Sequence, residues 1–288
     1  MTPGTGSPPG TGPHEPFGSR LYAALDRFGP LCVGVDPHPE LLQAWGLPET
    51  VDGLEEFSEI CVEAFVGRVA LVKPQVAFFE AHGSGGFAVL ERTIEVLREA
   101  GTLVVADAKR GDIGSTMSAY AQAWLGRGSP LESDAVTVSP YLGFGSADPI
   151  LELAERNHGG VFVLAATSNP EGGQVQLSTA ADGRHVSQVM VDEAAARNAG
   201  ATTLGSVGVV VGATLTDAPA LGGLHGPILM PGVGHQGGTA DDVRRLAGDC
   251  LRSVVPSVSR EVLRAGPSVT ALREAVSRSV EEFAFLRS

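Results

Sequence analysis

Short apolar runs alternate with longer segments of helical spacing throughout this chain, and the alternation repeats eight times. The apolar runs cover residues 31–35, 69–72, 102–106, 135–139, 161–167, 207–213, 227–230 and 253–257. Continuous apolar strands separated by helices are typical of a parallel sheet that is covered on both faces. Eight such units in one domain-sized chain favour a closed (β/α)8 TIM barrel over an open doubly wound sheet, which more often has five or six strands.

The first 17 residues differ in composition from the rest of the chain. They are rich in Gly, Pro, Ser and Thr and lack the basic and apolar regions of a secretory signal, so we predict a disordered leader over residues 1–17. Residues 18–28 have the spacing of a short amphipathic helix. No linker-like stretch interrupts the alternation after it, which predicts one α/β domain over residues 18–288.

Composition excludes several classes of partner. The net charge of −13 argues against binding to nucleic acid or to an anionic membrane, and no apolar run approaches the roughly 20 residues of a membrane helix. Three cysteines without CxxC spacing predict free thiols in the cytoplasm. The seven histidines are scattered without an HExxH pattern, so we expect no metal site and assign no role to any histidine.

Lysine is rare in this chain, since only Lys73 and Lys109 stand among 20 basic residues. Arg can replace Lys on most surfaces, so a position that keeps Lys is a candidate for chemistry that needs a compact ammonium able to release a proton. The alternative is chance survival. Both lysines follow predicted strands, the second and the third, and chemistry in these barrels lies at the carboxyl ends of the strands.

Two aspartates extend this pair into a predicted charged array. Asp36 follows the first strand, and Asp107 stands two residues before Lys109 on an extended segment, so their side chains share a face. Each charge of Asp36, Lys73, Asp107 and Lys109 then has an opposite neighbour, which favours ionisation despite partial burial. The alternative is a structural salt-bridge network, although Arg would serve there and buried networks stabilise poorly.

The loops after strands seven and eight predict a phosphate site. PGVGHQGG (231–238) supplies glycines that let backbone N–H groups turn toward an anion, and Ser259-Arg260 supplies a guanidinium suited to phosphate. Barrels of this kind usually bind phosphate there. The alternatives are a merely tight turn and a dinucleotide GxGxxG motif, but that motif belongs in an early βαβ unit. The polar loop TSNPEGGQ (167–174) could contact a heterocycle or be an ordinary surface loop.

Five segments together resemble a known family: DAKRGDIGST (107–116), GVDP (34–37), VKPQVAFFE (72–80), TSNPEG (167–172) and PGVGHQGG (231–238). They are similar to the orotidine 5'-phosphate decarboxylase family, in particular its longer bacterial group, often called type 2. The resemblance runs from about residue 18 to the C-terminus. It implies cofactor-free conversion of orotidine 5'-monophosphate to UMP and CO₂, the last step of de novo UMP synthesis, by a homodimer with shared sites.

The resemblance also implies roles for the charged array. Lys109 would protonate the product carbon, and Asp107 would lie beside the substrate carboxylate. Lys73 and Asp36 would hold the ribose and complete the array.

Further roles follow from the same resemblance for residues outside the array. Asp112 and Thr116 would reach across the dimer interface into the site of the partner. Ser168 would contact the pyrimidine.

The phosphate would be bound by Gln236, Arg260 and adjoining backbone that includes Gly234. His235 is a departure, since the family more often has a small residue there. Two alternatives stay open: a Mg²⁺-dependent sugar-phosphate lyase or aldolase of the same superfamily, which shares Asp-x-Lys, and a non-catalytic protein that binds a phosphate ligand.

Overall fold

Eight parallel strands close into a barrel in which each strand pairs with the next along the chain and β8 pairs with β1. The structure, a computed structural model, describes residues 15–287. The strands are β1 (Cys32–Val35), β2 (Leu71–Pro74), β3 (Leu103–Arg110), β4 (Ala135–Val138), β5 (Gly160–Ala166), β6 (Val207–Val211), β7 (Ile228–Pro231) and β8 (Val254–Val258). The predicted (β/α)8 barrel is confirmed, and the open doubly wound alternative is wrong.

Helices surround the barrel, and α1 lies across its amino-terminal end. They are α1 (Phe17–Phe28), α2 (Pro39–Ala44), α3 (Val51–Phe65), α4 (Val76–Glu80), α5 (Gly83–Glu99), α6 (Gly114–Leu125), α7 (Asp148–Asn157), α8 (Gly173–Gln176), α9 (Val186–Arg197), α10 (Ala240–Ala247), α11 (Arg260–Leu263) and α12 (Val269–Glu282). Short 3₁₀ segments cover Phe144–Ala147, Pro170–Gly172, Gly248–Ser253 and Ala284–Arg287. Within residues 15–287, no helix is long and apolar enough to cross a membrane.

The strand ends differ from the predicted runs in ways that matter for the site. β3 continues to Arg110, four residues past the predicted run, and so contains both Asp107 and Lys109. β2 likewise contains Lys73. β6 instead ends at Val211, two residues before the predicted end. The prediction relied on apolar runs, so it ended β2 and β3 before the polar residues that the structure includes in these strands.

Helix α1 closes the amino-terminal end of the barrel. Phe17, Leu21 and Leu25 are fully buried and pack with the lowest interior residues of the strands. The Phe17 ring meets the Phe162 ring edge-on, with centroids 5.9 Å apart. Gly160 makes room for it, since a Cβ there would lie 2.2 Å from the Phe17 ring.

The amino-terminal boundary of the domain lies earlier than predicted. Residues 1–14 of the predicted leader lie outside the described residues. Helix α1 begins at Phe17, one residue before the predicted start. Phe17 was assigned to the leader, and that assignment is wrong, because its side chain is part of the barrel floor.

The interior of the barrel is divided between an apolar half and a polar half. Toward the amino-terminal end it holds apolar side chains such as Leu71, Leu103, Ala135 and Val255. Toward the carboxyl end the same four strands bury Lys73, Asp107, Thr137 and Ser257. Buried polar groups need partners, so these residues must bind one another or a ligand.

Candidate active site

The four charged residues predicted to form an array meet in the barrel mouth. Lys73 Nζ donates to Asp107 Oδ2 at 2.9 Å and lies 3.9 Å from Asp36 Oδ1. Lys109 Nζ donates to the other oxygen of Asp107, Oδ1, at 2.6 Å. Asp107 therefore bridges the two lysines.

Burial and charge act in opposite directions in this array. Burial alone would lower the pKa of the Lys73 ammonium, but the carboxylates of Asp107 and Asp36 outweigh it and raise this pKa. Burial alone would raise the pKa of Asp107, but Lys73 and Lys109 outweigh it and hold this pKa well below its ordinary value. Both groups are therefore charged at neutral pH. The side chain of Lys109 is 44% exposed, in contrast to 7% for Lys73, so Lys109 is the ammonium that a ligand in the mouth can reach.

A local irregularity of β3 aims Lys109 into the mouth. The pairing of β3 with β4 shifts register between Ala106 and Arg110, and Lys109 has a positive φ of 47°. The Lys109 N–H donates to Thr137 Oγ1 at 2.9 Å, and that hydroxyl donates to Asp107 Oδ1 at 2.9 Å. Thr137 is not among the residues predicted from the sequence. It could have been found as the polar residue at an inward position of the otherwise apolar strand β4.

Asp36 is held from the side of β8, the other strand that pairs with β1. Its Oδ2 accepts a hydrogen bond from Ser259 Oγ at 2.6 Å. Gly34 leaves space for this contact, since a Cβ there would lie 2.9 Å from Ser259 Cβ. The other oxygen, Oδ1, is buried and accepts no hydrogen bond within residues 15–287. A buried carboxylate oxygen without a donor is an acceptor available to a hydroxyl of a ligand. Gln75, also missed from the sequence, accepts from Lys73 Nζ at 3.1 Å.

One cavity of about 270 Å³ joins the charged array to the predicted phosphate loops. Its wall includes all four residues of the array at one end and Gly232, His235, Gln236 and Arg260 at the other. Gly232, Gly234 and Gly237 all have positive φ, so glycine is required to form this loop. Gln236 and Arg260 thus lie where the sequence predicted, whereas Gly234 is outside the wall and lies against Glu261.

Ser168 is not in the wall of this cavity. It lines a neighbouring cavity of about 350 Å³ beneath the loop after β5, and Thr167 borders both cavities. The structure therefore brings the β5 loop next to the site without placing the Ser168 side chain in it.

Asp112 and Thr116 lie outside the cavity of their own chain. Asp112 Oδ1 accepts a hydrogen bond from the adjacent Ile113 N–H at 2.8 Å, and Thr116 is exposed on the first turn of α6. Large apolar side chains are exposed on the segments that follow β3 and β4: Ile113 (62%), Tyr141 (77%) and Leu142 (54%).

A larger cavity, of about 760 Å³, lies at the amino-terminal end of the barrel. Charged side chains in its wall already pair, with Arg20 Nη1 2.5 Å from Asp134 Oδ1 and Arg98 Nη2 2.7 Å from Glu132 Oε1. Asp134 Oδ2 also accepts from the Val104 N–H at 3.0 Å. These pairs join α1 and α5 to the segment that precedes β4, so we place the chemistry in the smaller cavity. Within the part of the chain described, no three His, Cys, Asp or Glu side chains cluster as metal ligands.

Known proteins resemble this chain over nearly its whole length. A sequence profile of the "Orotidine 5'-phosphate decarboxylase / HUMPS family" matches residues 29–275. The orotidine 5'-phosphate decarboxylase of Corynebacterium efficiens is 63% identical over 272 residues, which cover 93% of this chain and 97% of that protein. The Streptomyces coelicolor enzyme of the same name is 58% identical over 269 residues, with the same shares of each chain covered.

Solved structures agree with the sequence comparisons. A crystal structure of a candidate orotidine 5'-phosphate decarboxylase from Streptomyces avermitilis has a TM-score of 0.93 and 55% identity, covering 98% of this chain and 99% of that one. The OMP decarboxylase of Leishmania donovani has a TM-score of 0.73 at 29% identity, covering 93% and 98%. The chain belongs to the orotidine 5'-phosphate decarboxylase / HUMPS family.

Proposed function

We propose that this chain is a carboxy-lyase that converts orotidine 5'-monophosphate to UMP and CO₂, the last step of de novo UMP synthesis. The observation that carries the proposal is the partly exposed Lys109 ammonium, 2.6 Å from Asp107 in the wall of the cavity. Relatives that share 58–63% of its residues over nearly their whole length carry the name of this activity.

The reaction explains why an ammonium must stand at this point. Loss of CO₂ leaves an electron pair in the plane of the pyrimidine ring at C6, where the π system cannot delocalise it. A preorganised positive charge at C6 stabilises that pair, and an ammonium can then deliver a proton to it, which guanidinium does poorly. The required reduction of the barrier lies toward the upper part of the range of about 8–23 kcal/mol that enzymes achieve.

The rest of the array orders and polarises the substrate in this proposal. Asp107 lies beside the substrate carboxylate, so departure of CO₂ removes a like-charge contact. Asp36 accepts a hydrogen bond from a ribose hydroxyl at its buried free oxygen, and Lys73 donates to the ribose.

The loops beyond the array bind the rest of the substrate in this proposal. The phosphate is bound by Gln236, Arg260 and the backbone near Gly234. Ser168 contacts the pyrimidine when its loop closes over the cavity.

The exposed apolar side chains after β3 and β4 support a homodimer with shared sites. Ile113, Tyr141 and Leu142 would be covered by the partner, because large exposed apolar groups mark interfaces. Asp112 and Thr116 lie on the same segment as Ile113 and are outside the wall of their own cavity, so we place them in the site of the partner.

We place the enzyme in the cytoplasm. The three cysteines are free thiols, as expected in a reducing compartment. Burial raises the pKa of Cys32 to about 12, which keeps this thiol protonated inside the barrel.

The sugar-phosphate alternative requires Mg²⁺, and the two carboxylates of the array are poorly placed to bind it. Asp36 and Asp107 both lie within 3.9 Å of the Lys73 ammonium, which competes with a cation for them. No third acidic ligand joins them among residues 15–287.

One assay tests this proposal against both alternatives. Purified protein dialysed exhaustively against EDTA is given orotidine 5'-monophosphate, and UMP release is followed by chromatography. We expect full activity after dialysis, and a folded Lys109→Arg variant should lose at least the 10²–10⁴-fold typical of general acid catalysis. Activity that disappears and returns with Mg²⁺ would support the sugar-phosphate reading, and tight nucleotide binding without turnover would support the non-catalytic one.

A further inference from the structure

His235 occupies one of the two central positions of the turn at the phosphate end of the cavity. The Gly237 N–H donates to the Gly234 carbonyl at 2.8 Å and closes a four-residue turn around His235 and Gln236. Among the hydrogen bonds of residues 15–287, the backbone N–H groups of His235 and Gln236 have no acceptor. Free N–H groups in a glycine-rich turn favour an anion, and the imidazole of His235 borders the same space.

The charged groups around His235 balance when its imidazole is neutral. Arg260 and Arg264 supply two positive charges, and Glu261 and Glu40 supply two negative charges. Glu261 lies close to the turn, since a Cβ at Gly234 would be 3.3 Å from its Oε2. A phosphate dianion would add two negative charges to a neutral group of residues. A proton on the imidazole would offset one of them, and no other side chain around this turn ordinarily titrates near pH 6–7.

We infer that His235 is a phosphate ligand that takes up a proton when the 5'-phosphate of a nucleotide binds beside Arg260. The inference rests on the proposed function, because it adds a ligand to the proposed nucleotide site. An imidazolium N–H would donate a charge-assisted hydrogen bond to a phosphate oxygen, with the proton taken from solvent.

The direction of the pH dependence follows from the surroundings of the ring. In the free protein, partial desolvation and then the positive charges of Arg260 and Arg264 hold the pKa of His235 below its ordinary value. A bound phosphate reverses that field and raises the pKa. The gain in affinity is therefore complete below the free-state pKa and is lost as pH rises through the bound-state pKa.

Calorimetric titration of UMP into the wild type and three variants tests the inference without depending on turnover. His235→Gln keeps a neutral hydrogen-bond donor, and His235→Lys fixes the positive charge. We expect the wild type to bind UMP about tenfold more tightly than His235→Gln at pH 6 and within about twofold at pH 8. His235→Lys should bind tightly at both pH values. His38→Gln is the matched control, since His38 packs on Phe78 with centroids 4.5 Å apart and is not in the cavity wall.

The phosphate of UMP also titrates in this range, with a second pKa of about 6, but its effect on binding is common to the wild type and His235→Gln and cancels when the two are compared. Titrations at pH 7 in two buffers of different ionisation enthalpy should show greater proton uptake per UMP for the wild type than for His235→Gln. Equal proton uptake and equal pH dependence in these two proteins would overturn the inference while leaving the proposed function in place. Failure of every folded variant to bind UMP at any pH would refute both.

Discussion

Lys109 holds its ammonium in the mouth from a backbone conformation that side chains rarely adopt. Its φ of 47° falls in the left-handed region, where a Cβ crowds the following carbonyl at a cost of about 1–2 kcal/mol. The register shift of β3, the bond to Thr137 and the Ser139 N–H, which donates to the Arg110 carbonyl at 2.8 Å, hold this conformation in place. Stored strain of this kind is found where a site needs a side chain in one orientation.

The strain predicts a difference between two inactive variants. Lys109→Gly and Lys109→Ala both remove the ammonium and its bond to Asp107, but only glycine adopts positive φ freely. We expect Lys109→Gly to have the higher free energy of unfolding, by about 1 kcal/mol, because relief of strain exceeds the added entropy of the unfolded chain. Urea unfolding of both variants measures this. A more stable Ala variant would mean that the structure does not enforce the left-handed conformation.

Arg260 provides a separate test of the phosphate end. Arg260→Ala should raise KM for orotidine 5'-monophosphate by roughly 10- to 100-fold, the value of a charge-assisted hydrogen bond. Turnover of the non-phosphorylated nucleoside should change little, because that substrate never used the contact. Arg278→Ala removes the same charge from an exposed position on α12, outside the cavity wall and not among the charges that act on His235, and serves as the control. Equal losses on both substrates would make Arg260 a structural residue.

At the scale of the elements, α1 packs its buried side chains against the end of the barrel opposite to the site. Its three buried side chains fill the interior below the polar half, and Arg20 bonds to Asp134 at the start of β4. The helix therefore contributes to stability without contacting the cavity of the array.

A substitution at Phe17 should therefore lower the stability of the protein without changing its activity. Phe17→Ala removes a fully buried ring, and such changes typically cost about 3–5 kcal/mol of unfolding free energy. We expect kcat and KM to be near wild type at a temperature where the variant stays folded. Arg27→Ala, an exposed change on the same helix, should alter stability by about 0.5 kcal/mol or less. Chemical denaturation and steady-state kinetics check both statements, and a large loss of kcat in folded Phe17→Ala would connect the floor to the site.

The strands and the charged array could be predicted from the sequence because their signals are local. Apolar runs located all eight strands, and the two lysines marked the mouth. The bulge in β3 could not be predicted, since it depends on how β3 pairs with β4, and the role of Thr137 depends on that bulge. The position of Ser168 outside the cavity wall likewise could not be predicted, because it depends on how a polar loop packs, and the spacing of apolar residues carries no information about that.

At the scale of the whole molecule, the proposed shared site makes a quantitative prediction. Lys109→Ala and Asp112→Ala chains, each nearly inactive alone, are unfolded together and refolded. If Asp112 serves the partner, a mixed dimer has one site that lacks both groups and one that is fully wild type. Random pairing makes about half of the dimers mixed, so about a quarter of wild-type activity should return.

The result is checked by measuring turnover alongside subunit exchange. If Asp112 serves its own chain, every site in every dimer is damaged and mixing restores nothing. Absence of recovery in a sample whose subunits have exchanged would therefore refute the shared site.

The placement of both lysines in the mouth leaves the outer surface of residues 15–287 without a side-chain primary amine. Reagents that acylate amines, including those that acetylate lysine, could therefore reach one lysine side chain, Lys109, because Lys73 is buried. Acetylation of Lys109 would remove the charge on which the proposed chemistry depends. An amine-directed label read out at Lys109 would thus report occupancy of the site, because bound nucleotide would shield the one side-chain amine that the label can reach.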